Sequence, residues 1–166
     1  RFDRSSGTRR MPTVYIETSV VSYLAGRSSS SAIVAGRQVL TQEWWNQRRG
    51  DFDLVISELV VQEAEAGDPE AAHRRLNLLA GIASLEISDA AVALAEALVQ
   101  EGPIPTDYSE DGLHIALCAL NGIDFLMTWN CKHLANAAHR PQLESVVEER
   151  GYRCPIICTP EELMEE

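Results

Sequence analysis

The chain of 166 residues is long enough to form a hydrophobic core without disulfides or a structural metal, and one domain is the expectation. No apolar stretch approaches the roughly 20 residues that span a bilayer, and no signal-peptide core is visible, so we expect a cytoplasmic protein with no membrane partner. The formal net charge of −11 excludes a broad basic surface for nucleic acid, although a small site for it remains possible.

Residues 1–10 contain four arginines, two serines and a glycine, and they show no hydrophobic periodicity. The first apolar run begins after Met11, which we interpret as the natural start. Residues 1–10 are therefore expected to be a disordered leader or a remnant of an expression tag. Residues 11–166 are expected to form a single domain.

From Thr13 onward, short β-rich runs alternate with longer helical runs, which is typical of an α/β domain. Ser57, Ser88 or Asp89, and Ser109 are predicted helix caps. Strands are predicted at 14–16, 52–56, 85–87, 125–128 and 156–158. Helices are predicted at 28–49, from Ser57 to the break at 67–69, at 70–79, 90–100 and 109–120, within 134–150, and in a short tail after Pro160.

Strands that are separated by helices predict right-handed crossovers, a parallel sheet and helices on both of its faces. Sheets of this kind bind ligands beyond the carboxyl ends of their strands. Four polar residues are predicted at that edge: Glu17, Glu63, Asp111 and Asn130.

Three of these residues carry the ligand atoms that Mg2+ and Mn2+ prefer, which are hard oxygens. Carboxylates of Glu17, Glu63 and Asp111 would hold such an ion. It would stabilise charge on a phosphodiester and lower the pKa of a water molecule, which then acts as the nucleophile. No protein nucleophile is needed for this reaction.

Four segments, in this order along the chain, resemble the motifs of the PIN-domain family. They are Val14–Val20, where an acidic residue and a Thr/Ser pair close the first strand; Ile56–Glu63, a strand end with a serine cap and a helical acid; Asp111–Ala116; and Phe125–Asn130. Many bacterial members of this family are VapC-type toxins of type II toxin-antitoxin systems. Each motif is short, and the order and spacing of all four make the resemblance specific.

The resemblance implies a three-layer α/β/α sandwich with a mainly parallel sheet, acting as a Mg2+- or Mn2+-dependent endoribonuclease. It also implies an RNA substrate, a cognate antitoxin and a homodimer. The implied metal ligands are Glu17, Glu63 and Asp111, with Asn130 as a weaker catalytic member. The predicted substrate contacts are Thr18 and Ser19 at a helix start, a common anion site, and His114.

Three positions depart from the family pattern. The first motif usually carries Asp where this chain has Glu17, whose extra methylene moves the carboxylate by about 1.5 Å. Asn130 stands where many members have Asp, and His133 stands where a further acidic residue is common. These departures predict a site that holds one metal ion well and a second one poorly.

Each candidate also has a plainer interpretation. Glu17 and Asp111 are suited to the first turn of a helix, where the dipole favours acids, and Thr18 and Ser19 are suited to capping it. Glu63 fits a solvated face. A buried, hydrogen-bonded histidine is a common alternative to a functional His114, and Asn130 suits a turn after its strand.

Two further groups of residues suggest other kinds of site. Cys131, His133, Cys154 and Cys158 have spacings that match zinc sites poorly, so free thiols without zinc are expected. Trp44 and Trp45, followed by Arg48 and Arg49, either stack bases or mark a partner surface, or one of the tryptophans packs in the core.

The alternative function is a PIN-like module that binds RNA or a protein without cleaving it, because its acidic set is weakened. A flavodoxin-like domain that binds a small molecule would need a glycine-rich turn after the first strand, and the sequence has none there.

Overall fold

A five-stranded, all-parallel sheet forms the middle layer of the protein in a computed structural model that describes residues 10–164. The strand order is β3-β2-β1-β4-β5, so β1 lies at the centre. There, Tyr15 pairs with Val55 on one side and Leu126 on the other. The strands are β1 (Thr13–Ile16), β2 (Asp53–Ser57), β3 (Ala83–Leu85), β4 (Phe125–Met127) and β5 (Ile156–Cys158).

Within residues 10–164, seven α-helices connect the strands and cover both faces of the sheet. The connections from β1 to β2 and from β2 to β3 run across the sheet in one direction, and those from β3 to β4 and from β4 to β5 run in the other. Because such crossovers are right-handed, α1–α4 lie on one face and α5–α7 lie on the opposite face. The helices are α1 (Thr18–Ala25), α2 (Ala32–Gln47), α3 (Glu58–Glu65), α4 (Pro69–Leu79), α5 (Asp89–Gln100), α6 (Ser109–Leu120) and α7 (Arg140–Glu149). The predicted three-layer sandwich is confirmed.

Side-chain caps fix most of the predicted helix starts. The hydroxyls of Ser57 and Ser88 each accept from the amide three residues later at 3.2 Å, and Asp68 caps α4 in the same way at 2.9 Å. Gly67 has φ +84° and turns the chain between α3 and α4. Ser109 is not the predicted cap, because it is already the first residue of α6 and Tyr108 stands at the cap position without a side-chain bond.

Several elements differ from the sequence prediction. Strand β3 ends at Leu85, two residues before the predicted end, because Leu85 pairs with Ser57, the last residue of β2; the Ile87 amide donates instead to Glu58 at 2.7 Å. Helix α2 begins after Ser31, whose hydroxyl accepts from Val34. The predicted tail helix is a 3-10 turn, Glu161–Leu163.

The core surrounds β1, where Val14, Tyr15 and Ile16 have no exposed surface. Trp44 is equally buried and packs against Phe52, with ring centres 5.7 Å apart. Trp45 is half-buried, and Arg49 lies 4.6 Å from its ring centre. The interpretation with one core tryptophan therefore describes this pair, and Trp44 has no surface to offer a base.

Residues 1–9 of the predicted leader lie outside the described residues. Arg10, the last residue of that segment, contacts the domain through an ion pair of 3.5 Å with Asp124. Within residues 10–164, no helix combines the length and the apolar character needed to cross a membrane.

Candidate metal centre

The candidate site lies where the strand order reverses, at the carboxyl ends of β1 and β4. The crossovers that leave these two neighbouring strands go to opposite faces, and this opens a crevice of the kind that binds ligands in parallel α/β sheets. Glu17 directly follows β1, and its amide donates to the carbonyl of Met127, the last residue of β4, at 3.1 Å. The two strand ends are thereby joined at the floor of the site.

Glu17 is held rigidly and is only 6% exposed. Its Oε2 accepts from the Ser19 amide at 2.9 Å, from the Thr128 hydroxyl at 2.9 Å and from the Ser19 hydroxyl. The Glu17 carboxylate therefore caps α1, as one of the plainer interpretations proposed. Its other oxygen, Oε1, accepts no hydrogen bond from any described residue, so capping leaves a ligand atom free.

Glu63 reaches the same crevice from the second turn of α3. Its Oε1 accepts from the Thr18 hydroxyl at 2.7 Å and lies 2.7 Å from Nε2 of His114. That His114 nitrogen is also 3.9 Å from Oε1 of Glu17. The imidazole thus lies between the two carboxylates that the sequence predicted to share an ion.

A buried hydrogen-bond chain orients His114, which is 1% exposed. Its Nδ1 is 2.7 Å from the Tyr15 hydroxyl, which is 2.7 Å from the Ser57 hydroxyl. When neutral His114 carries its proton on Nε2, Ser57 donates to Tyr15, Tyr15 donates to Nδ1, and Nε2 donates to Glu63. Every hydroxyl in the chain then has a partner, which a buried polar group requires.

The charges at the site shift two pKa values in opposite directions. Burial lowers the pKa of His114, but the hydrogen bond to Glu63 and the charges of Glu17, Glu63 and Asp111 outweigh it, so the net shift is upward. For Glu63, burial raises the pKa, and the hydrogen bonds and charge of His114 together with the Thr18 hydroxyl reverse this to a net lowering. Both shifts favour a charged pair.

Asp111 lies in the first turn of α6, and its carboxylate is paired with a histidine that the sequence did not link to it. Its Oδ2 is 2.7 Å from Nδ1 of His133, which is 5% exposed. Asn130 accepts from the His133 amide at 3.1 Å and donates its own amide to Thr128 at 2.9 Å. Asn130 therefore shapes the loop after β4 and connects the Asp111–His133 pair to the Glu17 anchor.

Within residues 10–164, three potential ligands converge only at Glu17, Glu63 and His114, whose ligand atoms all lie within 4.8 Å of one another. Glu17, Glu63 and Asp111 each have one oxygen bound by the protein and one that accepts no hydrogen bond from a described residue. This arrangement fits a hard divalent cation, since it presents oriented carboxylates with unused oxygens.

The zinc candidates are not brought together. His133 binds Asp111, Cys131 is exposed, Cys154 is partly buried and Cys158 is buried at the end of β5. All four cysteines of the chain are unpaired in the structure.

No family model matches the sequence, and no curated protein matches it either. Among solved structures, the crystal structure of Mycobacterium tuberculosis VapC20, a sarcin-ricin loop cleaving toxin, is similar. The TM-score is 0.56, with 86% of this chain and 99% of that chain covered at 14% identity. The chain has a PIN-like fold. The predicted resemblance is thus confirmed at the level of the fold.

Within this PIN-like fold, the roles of Tyr15 and His133 in orienting the site were not predicted from the sequence. A tyrosine in the middle of an otherwise apolar strand was the available signal, since its buried hydroxyl needs a partner. His133 was noted as standing where a further acidic residue is common, but its bond to Asp111 was not predicted, because the two are 22 positions apart and His133 lies in an irregular loop.

Proposed function

We propose that this chain is a Mg2+- or Mn2+-dependent endoribonuclease, with Glu17, Glu63 and Asp111 as metal ligands. The observation that carries the proposal is the convergence of Glu17, Glu63 and His114 at the switch point of the sheet. Both glutamates are fixed through one oxygen and keep the other free. Such pre-orientation is what a metal site requires of its ligands.

A bound ion would supply charge stabilisation at the phosphodiester and a more acidic water. The chain's own residues would orient the carboxylates. Thr18 donates to Glu63, and Ser19 donates to Glu17, so both hydroxyls serve the ligands. His114 is buried and also bound to Glu63, so we assign it the same orienting role. Direct contact of these three residues with substrate stays a prediction.

The Asp111–His133 pair favours one ion over two. His133 occupies the place where a further acidic residue is common in the family, and its Nδ1 occupies one oxygen of Asp111. With Asn130 nearby in place of an aspartate, little oxygen charge remains for a second ion. We propose a single bound cation, held mainly by Glu17 and Glu63 with Asp111 at its edge.

The same pair supports a second candidate function, an RNA- or protein-binding module without catalysis. Two histidines, His114 and His133, each lie 2.7 Å from a site carboxylate, and a protonated histidine would replace part of the charge that a cation brings. Protonation of His114, which its raised pKa favours, would lower the affinity for a divalent ion.

Cleavage of single-stranded RNA separates the two functions. We expect purified protein to cut the strand with Mn2+ and not with EDTA, and we expect Asp111→Asn to lose this activity. Asp124→Asn is the matched control, because it removes one carboxylate charge at the opposite edge of the sheet. RNA binding without cleavage would favour the binding module, and cleavage that persists in EDTA would contradict both.

We further propose that the protein is the cytoplasmic toxin of a toxin-antitoxin pair and acts as a homodimer. These assignments draw on the resemblance to VapC-type toxins. Light scattering at micromolar concentration tests the dimer, and a monomer would contradict it. Co-expression with the product of an adjacent small reading frame, followed by recovery of an inactive complex, tests the antitoxin.

A further inference from the structure

Two pairs of a cation and an aromatic ring involve the loop 129–133 after β4, next to the carboxylates. In one pair, the Arg37 guanidinium lies 5.2 Å from the ring centre of Trp129. In the other, the Lys132 ammonium lies 5.8 Å from the ring centre of Tyr108. Lys132 is the only lysine in a chain with a net charge of −11. The single lysine of this acidic chain therefore lies beside the candidate metal centre.

The Arg37 pair is coupled to Glu17 through one residue. The Trp129 amide donates to the Ser19 hydroxyl at 2.8 Å, and that hydroxyl donates to Glu17. The Trp129 indole also donates to the Thr41 hydroxyl of α2 at 2.7 Å. These bonds fix Trp129, and with it the ring that Arg37 covers, next to the metal centre.

The Lys132 pair is coupled to Asp111 in a corresponding way. The Tyr108 ring lies 4.3 Å from the His133 ring, centre to centre, and His133 binds Asp111. Each cation is thus linked to a different carboxylate of the centre through two intervening residues, Arg37 to Glu17 and Lys132 to Asp111.

Both cations are available to a ligand. Among residues 10–164, neither Arg37 nor Lys132 forms an ion pair with a carboxylate. Arg37 donates only to neutral groups, the Tyr23 hydroxyl at 3.3 Å and the Cys131 sulfur at 4.0 Å. Six arginines of the described chain, in contrast, pair with acids: Arg10, Arg27, Arg48, Arg140, Arg150 and Arg153.

We propose that Arg37 and Lys132 bind backbone phosphates of one RNA strand on either side of the scissile bond, and that Tyr108 stacks on a base. This inference rests on the nuclease function proposed above, and it specifies how the RNA strand lies across the site. Tyr108 is 46% exposed, and an exposed ring beside a cation is the arrangement that binds single strands. Two cations on an acidic protein suit a single strand and not a duplex.

The salt dependence of binding tests the two phosphate contacts. Affinity for a short fluorescent single-stranded RNA is measured across salt concentrations, with Ca2+ replacing Mg2+ to occupy the carboxylates. Each of Arg37→Gln and Lys132→Gln should reduce the slope of log K against log salt by about 0.7. Arg37→Lys and Lys132→Arg should keep the slope. Arg153→Gln, which removes a cation at the far edge of the sheet, should also keep it.

Tyr108→Ala tests the base contact. It should weaken binding roughly tenfold without changing the salt slope, because stacking neutralises no phosphate. Tyr108→Phe keeps the ring and should bind as the wild type does. Loss of binding in both variants, or a changed slope in Tyr108→Ala, would overturn the assignment of Tyr108.

Cys131 provides an independent readout on the same loop. It is exposed, whereas Cys118 and Cys158 are buried, and burial raises the pKa of Cys154 and of Cys158 to about 12. Iodoacetamide at mildly alkaline pH should therefore modify Cys131 first, since the thiolate is the reactive form. Bound single-stranded RNA should slow this reaction, and a duplex of the same sequence should not.

The outcomes separate this inference from the function on which it rests. If the wild type shows neither metal-dependent stabilisation nor cleavage, the nuclease function fails. If it shows both, yet the salt slopes of Arg37→Gln and Lys132→Gln match the wild type and RNA leaves Cys131 unprotected, the proposed RNA path is wrong. The loop 129–133 would then belong to a protein interface.

Discussion

The two edges of the sheet hold carboxylates in opposite ways. At the amino edge, Asp124 accepts from the Thr13 amide at 2.9 Å and from the Thr13 hydroxyl at 3.1 Å, and it pairs with Arg153 at 3.1 Å and Arg10 at 3.5 Å. Both of its oxygens are occupied. Asp124 therefore keeps no oxygen without a partner.

At the carboxyl edge, Glu17, Glu63 and Asp111 each keep one oxygen unbound by described residues. No arginine or lysine of residues 10–164 forms an ion pair with them; their only basic partners are His114 and His133. Strand β1 contributes to both edges, so the difference between the two edges lies in their side chains and not in the backbone. A carboxylate cluster without a full cationic partner costs stability, and a divalent ion from solvent would offset that cost.

Neutralising one carboxylate at each edge should affect RNA cleavage at the carboxyl edge only, and this is the largest effect that we expect. We expect Glu63→Gln, which keeps acceptors for Thr18 and His114, to reduce RNA cleavage by more than the roughly 10- to 100-fold lost with an outer ligand contact. Asp124→Asn should cleave at the wild-type rate. Single-turnover cleavage with Mn2+ measures both, and equal losses in the two variants would remove the contrast.

Metal binding should stabilise the protein through the carboxyl edge alone. With free Mn2+ a hundredfold above its dissociation constant, the gain is about 2.7 kcal/mol, or about 5–10 °C in Tm for a domain of this size. Asp111→Asn should show a smaller gain, while Asp124→Asn should show the full one. Thermal melts with EDTA and with Mn2+ test this, and an unshifted wild type would contradict the metal site.

The buried hydroxyl of Tyr15 connects the core to the carboxyl edge. Tyr15→Phe should cost about 1–3 kcal/mol of unfolding free energy, because Ser57 and His114 lose a hydrogen-bond partner in a buried place. Urea denaturation measures the loss. Tyr23→Phe is the control, since its hydroxyl is partly exposed and bonds only Arg37, and it should change stability little. Equal stability of Tyr15→Phe and wild type would show that His114 is oriented by other contacts.

The sequence predicted the fold well, because alternation of strands and helices leads to a parallel sheet by general rules. It also placed Glu17 and Glu63 at one edge, since one residue follows a strand and the other lies on the helix after the next strand. Boundaries such as the end of β3 could not be predicted, because pairing with Ser57 decides them and pairing is a tertiary contact.

The contacts that the site residues make with one another were harder to predict than the identity of those residues. The Asp111–His133 bond depends on the path of an irregular loop, which hydrophobic periodicity does not describe. His114 was predicted to contact substrate, with a buried, hydrogen-bonded histidine as the plainer alternative, and the structure gives it hydrogen bonds to Glu63 and Tyr15. The Arg37–Trp129 contact joins α2 to the loop after β4, two segments far apart in the sequence.

The smallest expected effect concerns the amino edge and depends on pH. The Thr13 amide lowers the pKa of Asp124, burial opposes it, and Arg153, the Thr13 hydroxyl and Arg10 add to the lowering. Because the folded-state pKa lies below the unfolded value of about 3.9, the contribution to stability is fully present above that value and is lost as pH falls through the folded pKa. Asp124→Asn should therefore be less stable than wild type by about 1 kcal/mol at pH 7, a modest figure because the group is partly exposed and screened. The difference should shrink toward pH 3. Urea denaturation of both proteins between these pH values measures it, and a difference that is absent at pH 7, or that grows on acidification, would show that the amino edge does not depend on the Asp124 charge.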